Sequence, residues 1–331
     1  MGNGFPLHGR VPPAAAPWRL PQVAFAPPAP RRLRLALVLF LLTVVSTLFV
    51  GLHLVRAYEQ GQPAYTDSIY SFELLRELAA NPLVLFQGWA FAATLLGILL
   101  AHELGHYFAC RRYGIVASYP YFLPFPNLIG TMGAFIRIQS PIVNRRALFD
   151  VGIAGPLVGF VLAVPALAWG LAHSKALPEA AEGSVVVFGN PLLVWFFEKL
   201  FWPGLPADHL MMHPVARAAW VGLFATALNL LPVGQLDGGH IVYAVAAEKH
   251  RRLSRVFLLA LLAAGALGFR YPEMLWPGWL VFGGFLLLIG PRHPAVLDPG
   301  AGLDSGRLRV AALGLLVFLL CFTPVPFRSP Y

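Results

Sequence analysis

Seven stretches of this chain are almost purely apolar, and polar, mostly basic segments separate them. They fall at 35–54, 83–101, 147–172, 215–231, 253–269, 274–290 and 310–322. The longer ones match the roughly 20 apolar residues that carry a helix across a hydrocarbon core about 30 Å thick. The pattern predicts an all-α polytopic membrane protein with about seven transmembrane helices, six and eight being the neighbouring counts. Between the second and third runs the periodicity changes. Pro120, Pro124 and Pro126 break any helix, and 130–138 alternates like a short β-hairpin associated with the membrane. Non-helical backbone beside a bilayer is tolerated where protein buries it or it lines a cavity. Gly130, Thr131 and Gly133 could thus belong to a strand edge that receives an extended peptide, or to an ordinary packed loop.

The polar segments orient the runs. Residues 1–30 are rich in Pro and Ala, lack apolar periodicity and read as a disordered cytoplasmic tail ahead of a transmembrane domain at 31–331. Arg31, Arg32 and Arg34 precede a run too long for a signal peptide, so the first span is expected to be retained. Glu59, Asp67, Glu73 and Glu77 make 55–82 net negative and assign it to the far side. Arg111, Arg112, Arg145, Arg146, Lys249, Arg251, Arg252 and Arg255 share the other side, which is the cytoplasmic one if positive charge lies inside. This distribution predicts an N-terminus toward the cytoplasm, and the expected location is a bacterial-type cytoplasmic membrane. The far-side piece 191–202, PLLVWFFEKLFW, has the aromatic character of an interfacial segment.

Composition narrows the class further. The 331 residues are 58% hydrophobic and 12% charged, with a mean hydropathy of +0.68. Soluble domains carry roughly a quarter charged residues. The net charge of +9 would suit nucleic acid, but Lys and Arg sit at span ends, so the expected partner is the lipid bilayer and no nucleic acid. Two cysteines, Cys110 and Cys321, build neither a disulfide framework nor a thiolate cluster. Any metal site must therefore use His and carboxylate.

The second run continues in helical register into His102-Glu103-Leu104-Gly105-His106. Two imidazoles four residues apart share a helix face and can hold one metal ion, with the Glu between them as base. With ten His in the chain, such a match arises by chance about 0.01 times. Catalytic zinc takes three protein ligands and keeps a fourth position for water. Among acids near this face, Asp237 is the best third ligand, because Pro232 and Gly234 break the fourth run at the same depth. Gly238 and Gly239 then let the chain turn tightly. Asp150 reads as a helix cap. Asn229 could donate to a developing oxyanion or simply bond between helices, and His240 could support the site or just begin a helix. His209, His213 and His293 are expected to take no part in catalysis. Gly152, Gly155 and Gly159 allow close packing of the third span.

HELGH ending one span and NLLPVGQLDGG ending a later one together resemble the site-2 protease family of intramembrane zinc metalloproteases. Asn229, Pro232, Asp237 and Gly238 fill that family's Asn-x-x-Pro-x-x-x-x-Asp-Gly motif in register. The segments 130–134 and 146–156 also look like this family, and the likeness covers a core of about 83–250. The resemblance implies His102, His106 and Asp237 as ligands of one Zn2+, Glu103 as base and Asn229 as a substrate-orienting group. It implies single-span membrane proteins as substrates, cut in or near their membrane segment. The loops leave no room for the PDZ or CBS domains that some members carry, so a compact form is expected. The alternative class is a membrane metal-binding or transport protein using the same ligands. A transporter would spread ionisable residues through its spans, whereas here they gather near one face.

Overall fold

A computed structural model describes residues 30–62, 72–177, 187–206, 209–298, 300 and 302–328. The expected tail at 1–29 lies outside the described residues, as does part of the far-side loop at 178–186. The helices are α1 (Pro30–Gln60), α2 (Phe72–Ala80), α3 (Trp89–Arg112), α4 (Arg145–Ala172), α5 (Leu192–Phe201), α6 (Pro214–Asn229), α7 (Asp237–Gly268), α8 (Gly278–Ile289) and α9 (Ser305–Cys321). A 3-10 turn at Pro82–Gly88 leads into α3. Strands β1 (Tyr121–Pro124) and β2 (Thr131–Phe135) form an antiparallel hairpin. Four two-residue strands make two small sheets: β3 (Lys175–Ala176) with β5 (Leu210–Met211), and β4 (Val187–Phe188) with β6 (Phe327–Arg328).

Among the described residues, three helices are long and apolar enough to cross a membrane: Leu33–Gln60, Pro82–Arg112 with its 3-10 lead, and Arg145–Ala172. The seven expected spans are thus not all of one kind. Helices α6, α8 and α9 have 16, 12 and 17 residues, or roughly 18–26 Å at 1.5 Å per residue, short of a full hydrocarbon core. The run at 253–269 falls in the far limb of α7, which also carries Lys249, Arg251 and Arg252. Its expected partner at 274–290 is α8, which packs against α7 as a hairpin.

Helices α3, α4 and α6 form the centre, each packed on the other two, with α1, α7 and α9 around them. Small residues make this possible. A Cβ on Gly105 of α3 would lie 2.7 Å from the Ala154 carbonyl oxygen of α4. Trp220 of α6 is fully buried among Phe188, Phe224 and Phe327. Helix α4 contains Pro156 and Pro165 yet stays continuous, as helices in apolar surroundings can when neighbours support them. Its N-cap is Asn144, whose side chain accepts from the Ala147 amide at 2.9 Å. The expected cap, Asp150, instead lies inside α4, where it pairs with Arg307 and Tyr113. A cap must precede the first turn, and Asn144 is the residue positioned there.

Helix α7 is broken at Ala246 (φ −145°, ψ 68°). The break frees the Ala244 and Val245 carbonyls, and the Arg145 guanidinium donates to both at 2.8 Å. A cation at the end of a helical limb also meets the negative end of its dipole. One arginine thus joins the start of α4 to the near limb of α7, the limb that begins with Asp237.

Candidate metal centre

His102 and His106 lie one above the other in the last three turns of α3, both buried. Their Nε2 atoms are 3.1 Å apart. Asp237 Oδ2, from the first residue of α7, lies 3.3 Å from each. The His106 Nδ1–H donates to the Val151 carbonyl of α4 at 2.7 Å. That bond spends one ring nitrogen and leaves the lone pair of the other facing His102 and Asp237.

Helix α4 gives up side chains to make the space. A Cβ on Gly155 would collide with the His106 ring, and one on Gly159 would press His102 at 3.2 Å. A Cβ on Gly152 would lie 2.8 Å from the His240 Cβ. These glycines had been expected to let helices approach. What they admit here is imidazole rings, and only the structure identifies those neighbours.

The turn between α6 and α7 delivers the carboxylate. Gly234 adopts φ +55°, a left-handed conformation suited to glycine. Its amide donates to Ser254 Oγ at 2.7 Å, and the same hydroxyl donates to the Pro232 carbonyl at 3.2 Å. The turn then folds back so closely that a Cβ on Gly238 would strike the Leu230 carbonyl. Asp237 follows at the N-terminus of α7, where the helix dipole favours a negative charge.

Glu103 is buried beside this cluster, close to the Ile136 backbone just past β2. Asn229, the last residue of α6, brings Nδ2 to 3.3 Å from His102 Nε2. His240 meets His293 with ring nitrogens 2.6 Å apart, and burial lowers His293 to about 4, which keeps that ring neutral. His213 caps α6, its ring accepting from the Val215 amide. The expected hairpin exists but begins earlier, because β1 at Tyr121–Pro124 is the partner of β2. Gly130 and Gly133 have φ +78° and +100°. Thr131 is buried, its hydroxyl donating to the Leu123 carbonyl at 2.8 Å, while Met132 and Phe135 face outward.

His102, His106 and Asp237 form the one group among the described residues whose His, Cys or carboxylate atoms could hold a metal ion, all within 4.8 Å of one another. Zinc with nitrogen and oxygen ligands at 2.0–2.1 Å in tetrahedral geometry sets those atoms about 3.3 Å apart. The three spacings here agree with that value, and the donor set of two imidazoles and one carboxylate is one that catalytic zinc uses.

The sequence model of peptidase family M50 matches residues 90–267, which include both halves of this centre. The "Probable zinc metalloprotease EGY1, chloroplastic" of Arabidopsis thaliana is 32% identical over 309 residues, covering 88% of this chain and 53% of the relative. The "Probable zinc metalloprotease EGY2, chloroplastic" of Oryza sativa subsp. indica is 31% identical over 277 residues, covering 80% of this chain and 47% of the relative. The chain spans about half the length of the curated relatives it matches. Both are named as chloroplast proteins, and neither supports the expectation of a bacterial cytoplasmic membrane.

Proposed function

Because this chain belongs to peptidase family M50, we propose that it is an intramembrane zinc endopeptidase acting on single-span membrane proteins in or near their membrane segment. The observation that carries this reading is the convergence of His102, His106 and Asp237 on one point, with Glu103 buried beside it. Those three residues would hold the zinc, which when bound acidifies a water and polarises the substrate carbonyl. Glu103 takes the proton from the attacking water and returns it to the leaving amine. The Asn229 amide, at 3.3 Å from His102, donates a hydrogen bond to the oxyanion as it develops. Val151 and the glycine face of α4 orient and seat the rings.

Strand β2 pairs only with β1 in its two-stranded sheet, and Glu103 lies close to Ile136 beyond its end. An extended substrate added along β2 would bring its backbone toward the base. Gly130, Thr131 and Gly133 shape that edge rather than contact the substrate through side chains, since Thr131 is turned inward. The centre lies toward the membrane face that carries Arg111, Arg112, Arg145 and Arg146, which is the inner face by the positive-inside rule. The family match weighs against the transport alternative.

Glu103→Gln tests the reading. It should keep its zinc and lose cleavage of a model single-span substrate by about 10³-fold or more. A Glu103→Gln protein that cuts at the wild-type rate would overturn the assignment of the base.

A further inference from the structure

At the other end of α4 lies a cavity of about 80 Å³ that the metal centre does not use. It opens between α5 and the chain around Leu205, and Asn190, Trp195, Glu198, Lys199 and Trp202 supply its polar and aromatic lining. Its position relative to the membrane follows from one bond. The Trp202 indole N–H donates to the Leu171 carbonyl at 2.8 Å, and Leu171 is in the last turn of a helix long enough to span a bilayer. Helix α5 exposes Leu192, Trp195, Phe196 and Leu200 along one stripe. An exposed apolar and aromatic stripe at the end of a span is the mark of a helix lying in the headgroup region.

On its inner side α5 buries Glu198, only 8% exposed. Its Oε2 accepts from the Asn190 side-chain amide at 2.6 Å, and among the described residues no Lys, Arg or His forms an ion pair with it. Burying a carboxylate against a neutral amide is unfavourable, and the burial pushes Glu198 up to about 7. The cavity therefore sits on an acid with no ion-pair partner among the described residues, only the more distant charge of Lys199. Trp195 and Trp202 both line the cavity, and aromatic rings attract a positive group. Lys199 is exposed at the rim, one residue from Glu198.

We propose that this cavity binds the head group of an aminophospholipid. The primary ammonium donates to Glu198 between the two indoles, and the phosphate meets Lys199 at the rim. A primary ammonium has the N–H donors that a carboxylate wants, and a quaternary ammonium has none. The order of charges, acid inside and base outside, fits a zwitterion whose amine is its outermost group. The site is independent of the metal centre.

The test uses the full chain reconstituted in vesicles that hold phosphatidylethanolamine, phosphatidylcholine and phosphatidylglycerol in equal parts. Retained lipid is counted by native mass spectrometry after mild detergent extraction. Wild type should retain one phosphatidylethanolamine, preferred about tenfold over the other two. Glu198→Gln should abolish that preference, and Trp195→Ala, at an exposed position, should weaken it severalfold, both with unchanged zinc content. Retention that ignores Glu198 and Trp195, or a preference for phosphatidylglycerol, would overturn the proposal. So would stabilisation of the delipidated protein by free ethanolamine equal to that by the lipid, because the site would then belong to a soluble amine.

Discussion

At its Arg145 end, α4 presents bare backbone to a crowded set of polar groups, while its Ala172 end is bonded to Trp202, in the lining of a cavity with a single acid on α5. Asp237 is shared at 3.3 Å by two imidazoles that lie against the glycines of α4, His106 also bonded to Val151. Glu198 has one neutral amide and open space. Both acids are largely buried, so burial alone does not distinguish them. Convergence does. Around Asp237 the ligand atoms meet at one point, and three glycines leave no side chain between them and the helix. Around Glu198 the described residues offer no ion pair, the charge of Lys199 offsets burial only in part, and the cost appears as a raised pKa.

The contrast can be broken first at Gly155. Replacing it with Ala drives a Cβ into the His106 ring, and we expect a loss of cleavage of about 10²-fold together with weakened zinc binding. Gly97→Ala is the matched control, since that Cβ would meet nothing within 4 Å. It should be neutral or stabilise α3 by up to about 1 kcal/mol. Equal effects at the two positions, measured by substrate cleavage and bound metal, would remove the glycine face from the account.

A smaller effect should follow Arg145→Ala. The Ala244 and Val245 carbonyls would lose their donor, at a cost of about 1–3 kcal/mol. Because the freed limb begins with Asp237, zinc affinity should fall by about tenfold. Thermal midpoint and zinc titration check the two parts separately.

The smallest effect lies at the far end and depends on pH. The folded protein holds Glu198 up to about 7, so it favours the protonated form. This contribution is complete below the ordinary carboxyl range and is lost as pH rises from there through about 7. In protein stripped of lipid, stability should fall by on the order of 2 kcal/mol over that window. Glu198→Gln should flatten this part of the profile and be the more stable protein at pH 8, as read from denaturation midpoints.

The sequence exposed the two ends unequally, for a physical reason. A metal accepts few donor types and fixes their spacing, so His102, His106 and Asp237 could be named as candidate ligands, and Glu103 as candidate base, without coordinates. Other features depend on contacts between distant segments. Gly152, Gly155 and Gly159 announce close packing, but not that the neighbours are imidazoles. Nothing local marks the break at Ala246, which has no Gly or Pro beside it. It is stabilised by an arginine about 100 residues earlier in the chain. Strand β1 was hidden because Pro124 reads as a breaker, yet a proline at a strand end gives up no needed amide. Three of the seven expected spans have full-length helices among the described residues, because apolar runs report what can be buried, by protein or by lipid, and α6 packs mainly on α3 and α4.

The most direct test of the central claim is the zinc content of purified Asp237→Ala beside wild type. The account predicts one zinc per wild-type chain and little in the variant, with helix content unchanged. A variant that keeps a full equivalent of zinc would show that the two imidazoles bind it without α7, and the centre described here would be wrong.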